Sequence, residues 1–331
     1  MERSRGPLSG NLVEKLSGDD RARLLALGRS RVFEAGSELV RQGSRGDCLF
    51  VVEQGTLAVM RSLPGGEEEQ LITAYPGMIL GEMAVLDGGV RAASLRALER
   101  CVVRAITVGG FQALALHGGE AGLRVLRAVG AMMHERLDAT CAAGDIGCDA
   151  LPAQGVRPGW RPVDADIALW LGILPSLAAL DEADRASLAA HLTSTDLRRG
   201  DELALPEDAE PGVTLVLRGA LSPWLAVEGR PHELRPPIGP GGFVEYAAAL
   251  GLPRGTRCWR ACSPTRLVRL EAAVFEDASP CAARLLYALA RDLASTLRRA
   301  TGRRMHFETA WAQAMRRMKP GIATSPAAQE A

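Results

Sequence analysis

Residues 81–97 read GEMAVLDGGVRAASLRA, a glycine-rich turn carrying a charged pair between apolar runs. A short helical turn beginning near Glu82 would point free backbone N–H groups and its positive end outward, which suits a phosphate. Gly81 lets a ligand approach the backbone, and Arg91 can offer two parallel donors to phosphate oxygens. The Glu82 carboxylate can accept a hydrogen bond from a ribose 2′-hydroxyl. The pattern therefore predicts a nucleotide phosphate site.

This stretch resembles the phosphate-binding cassette of the cyclic nucleotide-binding domain family, the β-roll of catabolite activator proteins and protein kinase A regulatory subunits. The shared features are Gly-Glu, an Arg nine residues after the Glu, and Ala-Ala-Ser where the kinase subunits typically carry Ala-Ala-Thr. The resemblance also includes spaced glycines at Gly36, Gly43, Gly46 and Gly55. It implies contacts to ribose and phosphate from Gly81, Glu82, Met83 and Ala84, and to the cyclic phosphate from Arg91 and Ala92.

The nucleotide itself is indicated by the residue after the arginine. In the family, a Thr there often accompanies guanine recognition, and this chain has Ala92, so we expect cyclic AMP, with cyclic GMP left open. Ser94 offers a further hydroxyl to the phosphate or base. In the following helix, an apolar face at Val129, Met132 and Met133 can serve as a lid over the base or as interdomain core.

Outward from the cassette, residues 32–107 consist of short β-rich runs separated by glycine and proline turns, which is typical of an antiparallel roll. Ser17 can cap a helix before this region, and a helical pattern over 121–137 follows it. Helix, roll and helix therefore form one predicted unit.

The same pattern recurs 164 residues later, which indicates an internal duplication. The aligned pairs are Gly36 with Gly200, Gly55 with Gly219, Gly77 with Gly241 and Ala97 with Ala261. A long helix, roughly Pro280 to Arg304, would end the second copy. We predict an α+β fold of two tandem antiparallel, jelly-roll-like β-rolls, each flanked by N- and C-terminal helices. The predicted boundaries are 8–142 for the first domain, 143–166 for a linker, 167–305 for the second domain and 306–331 for a tail.

The second cassette departs from the pattern. Glu245 and Arg254 keep the nine-residue separation, but Val244 replaces the glycine and Tyr246 is bulky. The stretch from Arg254 to Ala261 is also one residue longer than its counterpart. We therefore expect a degenerate second site that does not bind nucleotide.

Composition excludes several classes of function. The 331 residues suffice for two domains, and 39 basic residues balance 39 acidic ones, which does not favour nucleic acid or an anionic membrane as a partner. No apolar run approaches the ~20 residues of a membrane span. The five histidines and seven cysteines show no metal-ligand spacing. We expect a soluble cytoplasmic protein without metal, cofactor or catalytic motif.

Together these features predict a regulatory protein that responds to a cyclic nucleotide and acts through an unidentified protein partner, with a homodimer left open. An arginine-rich stretch near the C-terminus is either a solvated helix face or a docking surface: Arg291, Arg298, Arg299, Arg303, Arg304, Arg316, Arg317 and Lys319. The alternative function is a scaffold or assembly protein in which both rolls are without ligand.

Overall fold

The computed structural model describes residues 12–63, 66–142, 159–163, 166–205, 211–227, 230–233, 237–252 and 257–317. Within these residues the chain forms two antiparallel β-rolls, each with helices before and after it. This arrangement confirms the predicted fold class. The boundary residues 143–158 and 318–331 lie outside the described residues, and the predicted domain limits stay predictions.

The first copy runs from a pair of short helices through a roll of strands to a long helix. Its elements are α1 (Leu12–Lys15), α2 (Gly18–Ala26), β1 (Arg29–Phe33), β2 (Glu38–Val40), β3 (Cys48–Gln54), β4 (Leu57–Ser62), β5 (Glu68–Ala74), β6 (Ile79–Leu80), α3 (Glu82–Asp87), β7 (Ser94–Ala97), β8 (Cys101–Thr107), α4 (Val108–His117) and α5 (Gly119–Ala142). The strand orders are β1-β8-β3-β6 and β2-β7-β4-β5, so the chain crosses repeatedly between two facing sheets.

The second copy repeats this succession. Its elements are β9 (Arg161–Pro162), α6 (Asp166–Ile173), α7 (Glu182–Ala189), β10 (Leu192–Leu197), β11 (Glu202–Leu205), β12 (Gly212–Arg218), β13 (Leu221–Val227), β14 (Arg230–Glu233), β15 (Phe243–Glu245), β16 (Arg257–Ala261), β17 (Thr265–Glu271), α8 (Ala273–Glu276) and α9 (Pro280–Arg317). The strand orders are β15-β12-β17-β10-β9 and β11-β16-β13-β14.

The strand orders match one to one, which confirms the predicted duplication. β10, β17, β12 and β15 take the places of β1, β8, β3 and β6, and β9 is an addition that pairs with β10. The match extends to single hydrogen bonds. Gly36 and Gly200 both have positive φ, and their N–H groups donate to the carbonyls of Ala97 and Ala261 at 2.8 Å each. Both glycines close the same turn of the roll.

Apolar side chains of the two copies form one continuous core, in addition to the core inside each roll. α5 lies along α9, and both helices contribute fully buried residues to this shared cluster: Leu126, Val129 and Met132 from α5, and Leu285, Leu289 and Leu293 from α9. The copies are therefore packed against each other through their last helices.

The last helix is longer than predicted. α9 continues to Arg317, past the expected end near Arg304. After Gly302 the sequence has no glycine or proline until Pro320, so nothing in it breaks the helix. The assumed boundary at 305 falls inside this continuous helix.

In each copy the same kind of ion pair joins the helix directly before the roll to the last helix. Arg124 of α5 donates to Asp20 of α2 at 2.7 and 3.0 Å. Hydrogen bonds from Arg124 hold the pKa of Asp20 below its ordinary value. In the second copy, Arg284 of α9 pairs with Asp184 of α7 at 2.5 Å. Both pairs close the helical layer over the roll.

Candidate functional site

The cassette of the first copy begins at a sharp turn between β6 and α3. Gly81 occupies this turn with a φ of +79°, a left-handed conformation that favours glycine. A Cβ on Gly81 would overlap Nη1 of Arg91. The absence of a side chain at Gly81 therefore leaves room for the Arg91 guanidinium beside the backbone.

Arg91 lies inside the roll and is only 4% exposed. Its Nη1 donates to the Gly81 carbonyl at 3.4 Å, and its Nη2 donates to Oδ1 of Asp47 at 3.3 Å. The guanidinium lies 5.5 Å from the centre of the Phe50 ring. Its buried Nε has no hydrogen-bond partner among the described residues. The site therefore holds a buried cation with an unused donor, which suits an anionic ligand.

Asp47 is the carboxylate that faces this cation. A hydrogen bond from the Cys48 thiol, together with the nearby Arg91 charge, holds the pKa of Asp47 below its ordinary value. Burial raises the pKa of Cys48, and the neighbouring Asp47 adds to the effect. The Asp47 side chain is 83% exposed, so solvent weakens its attraction to Arg91. No sequence pattern singles out Asp47, because a carboxylate 44 residues before its arginine has no spacing signature.

Glu82 begins α3 and is 3% exposed. Its Oε1 accepts a short hydrogen bond from Nη1 of Arg136 on α5, and Nη2 of Arg136 donates to the Ile79 carbonyl at 3.4 Å. Arg136 thereby neutralises Glu82 and ties α5 to the cassette. Sequence reasoning missed Arg136. The available signal was its position in the apolar stripe after Met132 and Met133, where a charged residue needs a buried partner.

The remaining predicted residues lie on the same cassette with different exposures. Met83 is partly exposed, Ala84 is buried and Ala92 is exposed. Ser94 is buried on β7, and its Oγ accepts a hydrogen bond from the backbone N–H of Gln42 at 2.9 Å. Ser94 thus orders the loop between β2 and β3, and its contact with a ligand stays a prediction.

The sequence comparison agrees with this geometry. The family model of the cyclic nucleotide-binding domain matches residues 30–117, which span the roll from β1 to α4 and include the whole cassette. That family model therefore describes the first roll together with its cassette. The predicted resemblance is therefore confirmed for the first copy.

Proteins of several kinds contain segments similar to part of this chain. A cyclic AMP receptor protein of Thermus thermophilus is 38% identical over 69 residues, which are 21% of this chain and 32% of that protein. A cAMP-dependent protein kinase regulatory subunit of Eremothecium gossypii is 28% identical over 107 residues, 32% of this chain and 22% of that protein. The chain thus spans about a third or less of these relatives. The regulatory domain of Toxoplasma gondii PKA, solved with cAMP, is 18% identical over 92% of each chain with a TM-score of 0.31.

The apolar face of α5 had two interpretations, a lid over the base or interdomain core. Val129, Met132 and Met133 are fully buried and belong to the cluster that includes Leu286 and Leu289 of α9. Their contacts support the interdomain interpretation.

The second cassette has a different local structure. β15 continues through Val244 to Glu245, and the short 3-10 turn Ala248–Leu250 stands where the first copy has α3. Val244 is 1% exposed and packs in the interior of the second roll. Arg254, the other residue of the predicted degenerate site, lies outside the described residues. The helix start that carries Glu82 in the first copy thus has no counterpart at Glu245.

Side chains of the second roll occupy the space beside Glu245. Arg269 of β17 lies 4.0 Å from the Glu245 carboxylate, and its guanidinium is 5.5 Å from the centre of the Trp160 ring. Tyr246 is buried and meets His134 of α5 edge-on, with 5.2 Å between ring centres. The chain's own side chains therefore fill the second cassette, and one of them contacts the first copy.

The described ranges show neither a metal-ligand cluster nor a membrane-spanning helix. They contain no cluster of His, Cys, Asp and Glu that could hold a metal ion. No helix among these residues is long and apolar enough to cross a bilayer.

Proposed function

We propose that the first copy binds a cyclic nucleotide, preferentially cyclic AMP, and that the chain is a non-catalytic regulatory protein acting through a protein partner. The buried, incompletely bonded guanidinium of Arg91 inside a family-matched cassette carries this proposal. A cyclic phosphodiester bears one negative charge, which matches one arginine.

The charges of the site support an anionic ligand. Glu82 is already neutralised by Arg136, whereas the carboxylate that Arg91 meets among the described residues is the solvent-exposed Asp47, at 3.3 Å. A buried charge is costly unless it is paired and hydrogen-bonded. A phosphate bonded by the free Nε and a terminal nitrogen of Arg91 would supply that partner.

Glu82 can serve the ribose despite its ion pair. Arg136 bonds one oxygen, Oε1, and a carboxylate has several further lone-pair sites for a hydroxyl donor. Ala92 offers no hydroxyl to a guanine base, which supports the preference for cyclic AMP. The names of the Thermus receptor and the kinase subunit point in the same direction.

The second copy is proposed to be the output half of the molecule. Arg269 and Trp160 fill the region beside Glu245, and Tyr246 contacts the first copy. A roll without ligand can use its surface for a partner. A scaffold function for the whole chain is the alternative, and nucleotide binding by the first copy separates the two.

The deciding experiment is a calorimetric titration of the full chain with cyclic AMP, cyclic GMP and 5′-AMP. We expect cyclic AMP to bind most tightly. At ~100 times its dissociation constant it should add ~2.7 kcal/mol to the free energy of unfolding. If millimolar cyclic nucleotide produces neither binding heat nor thermal stabilisation, the scaffold function remains.

A further inference from the structure

Arg298 of α9 reaches from the second copy to the cassette of the first. Its Nε donates to Oδ2 of Asp87 at 2.7 Å, and its Nη2 donates to Oδ1 at 3.0 Å. Its Nη1 donates to the Val90 carbonyl at 2.7 Å. The sequence predicted that Arg298 belongs to a solvated face or a docking surface. In the structure its side chain contacts the first copy of the same chain instead.

This contact is stronger than an ordinary surface ion pair. The Asp87 side chain is 7% exposed and that of Arg298 is 28% exposed. The pairing is bidentate, and Oδ1 of Asp87 also accepts from the Gly89 N–H at 2.8 Å. A bidentate pair of this kind holds both side chains in one orientation, whereas solvent-exposed ion pairs contribute little to stability.

The contact lies on the turn that leads from α3 to Arg91. The turn contains Gly88 and Gly89, residues with little conformational preference of their own. A Cβ on Gly89 would come within 2.9 Å of Nη2 of Arg298, so the arginine lies directly against this backbone. Arg91 follows Val90 immediately. Arg298 therefore orders the segment that places Arg91.

We propose that Arg298 is a positioning residue for the nucleotide site, so that the affinity of the first copy depends on the docked position of the second. The proposal rests on the proposed function, because it assigns regulation to the same site. Affinity coupling is reciprocal, so bound nucleotide would in turn favour the docked second copy. The Arg298–Asp87 contact would transmit the signal between the copies.

The test compares variants of the full chain by titration with cyclic AMP. Arg298→Ala should weaken binding roughly tenfold, about the loss of one charge-assisted hydrogen bond. The double variant Asp87→Asn with Arg298→Ala should lose a similar factor, because it leaves no unpaired charge at Asp87. The matched control is Arg127→Ala, which removes hydrogen bonds from α5 to the carbonyls of Ala249 and Phe275 in the second copy and does not touch the first cassette.

Affinities within twofold of wild type for both Arg298 variants would overturn the proposal, as would an equal loss for Arg127→Ala. Hydrogen exchange without nucleotide keeps it separate from the proposed function. If wild type binds no cyclic nucleotide, the proposed function fails, but Arg298→Ala should still speed amide exchange in residues 88–91 about tenfold. Unchanged exchange there would overturn the positioning role itself.

Discussion

At the residue scale, the charge on Arg91 decides whether the first copy is a receptor. Arg91→Ala removes the charged donor to the phosphate, so we expect ~100-fold weaker binding, or ~3 kcal/mol. The control is Arg96→Ala on the neighbouring strand, whose guanidinium pairs with Glu68 at the surface at 3.2 Å. Calorimetric titration with cyclic AMP measures both. If Arg91→Ala binds cyclic AMP with wild-type affinity, the cassette is not the phosphate-binding site.

Glu82 forms an ion pair with Arg136 and has a proposed contact with the ribose, and its substitution must separate the two. Glu82→Ala should erase the discrimination between cyclic AMP and its 2′-deoxy form, expected to be roughly tenfold in wild type from one hydrogen bond. It also leaves Arg136 without this carboxylate, which we expect to cost ~3–5 kcal/mol of stability. Glu82→Ala with Arg136→Met removes both charges and should restore much of the stability without the discrimination. A ratio of the two affinities unchanged from wild type would exclude a ribose contact.

At the element scale, the turn before α3 must combine a left-handed residue with space for an arginine. Gly81→Ala should therefore lower both stability and nucleotide affinity. Gly36→Ala is the matched control, since Gly36 has a similar φ of +82° but open space around a Cβ. Both variants incur the ~1–2 kcal/mol cost of a left-handed alanine, measured by denaturant unfolding. Equal nucleotide affinity in the two variants would show that the Gly81–Arg91 packing does not matter for binding.

At the same scale, a buried carboxylate of α9, Asp292, should make the stability of the fold depend on pH. Oδ2 of Asp292 accepts from the backbone N–H of Phe243 at 3.2 Å, and burial raises the pKa of Asp292 to about 6. Between its unfolded value near 4 and about 6, the folded chain holds the proton more tightly, so stability falls as pH rises through this window. The free energy of unfolding of wild type minus that of Asp292→Asn should drop by up to roughly 3 kcal/mol there. A difference that stays flat from pH 4 to 7 would contradict this.

The sequence predicted the elements whose cause is local. The glycine turns, the Ser17 cap and the spacing of Glu82 to Arg91 are short-range features, and the strands and the first cassette followed from them. Arg136 and Arg298 were missed as site residues because their partners lie 54 and 211 residues away, where no spacing rule applies. Whether Val129 and the methionines of α5 form a lid or interdomain core likewise depends on how the two copies pack, and a repeat pattern does not specify that packing.

At the scale of the whole molecule, the two copies contact each other reciprocally. α9 of the second copy packs on α3 of the first, while α5 of the first packs on the Ala248–Leu250 turn of the second. Each last helix therefore lies against the cassette of the other copy. Among the described residues, Gly81 precedes α3 in the first copy, whereas β15 runs through Val244 in the second, so the two cassettes differ at this turn.

This asymmetry predicts one nucleotide per chain. Glu245 faces Arg269 at 4.0 Å, Val244 is buried in the second roll, and Tyr246 lies against His134, so a ligand there would have to displace packed side chains. Calorimetry of the full chain should give a stoichiometry of one, and Arg91→Ala should weaken that single binding event ~100-fold. The full chain is the proper sample because the copies share a core that a fragment of 167–305 would expose. Two sites per chain, or micromolar binding that survives Arg91→Ala and is lost on Arg254→Ala, would make the second copy a sensor as well.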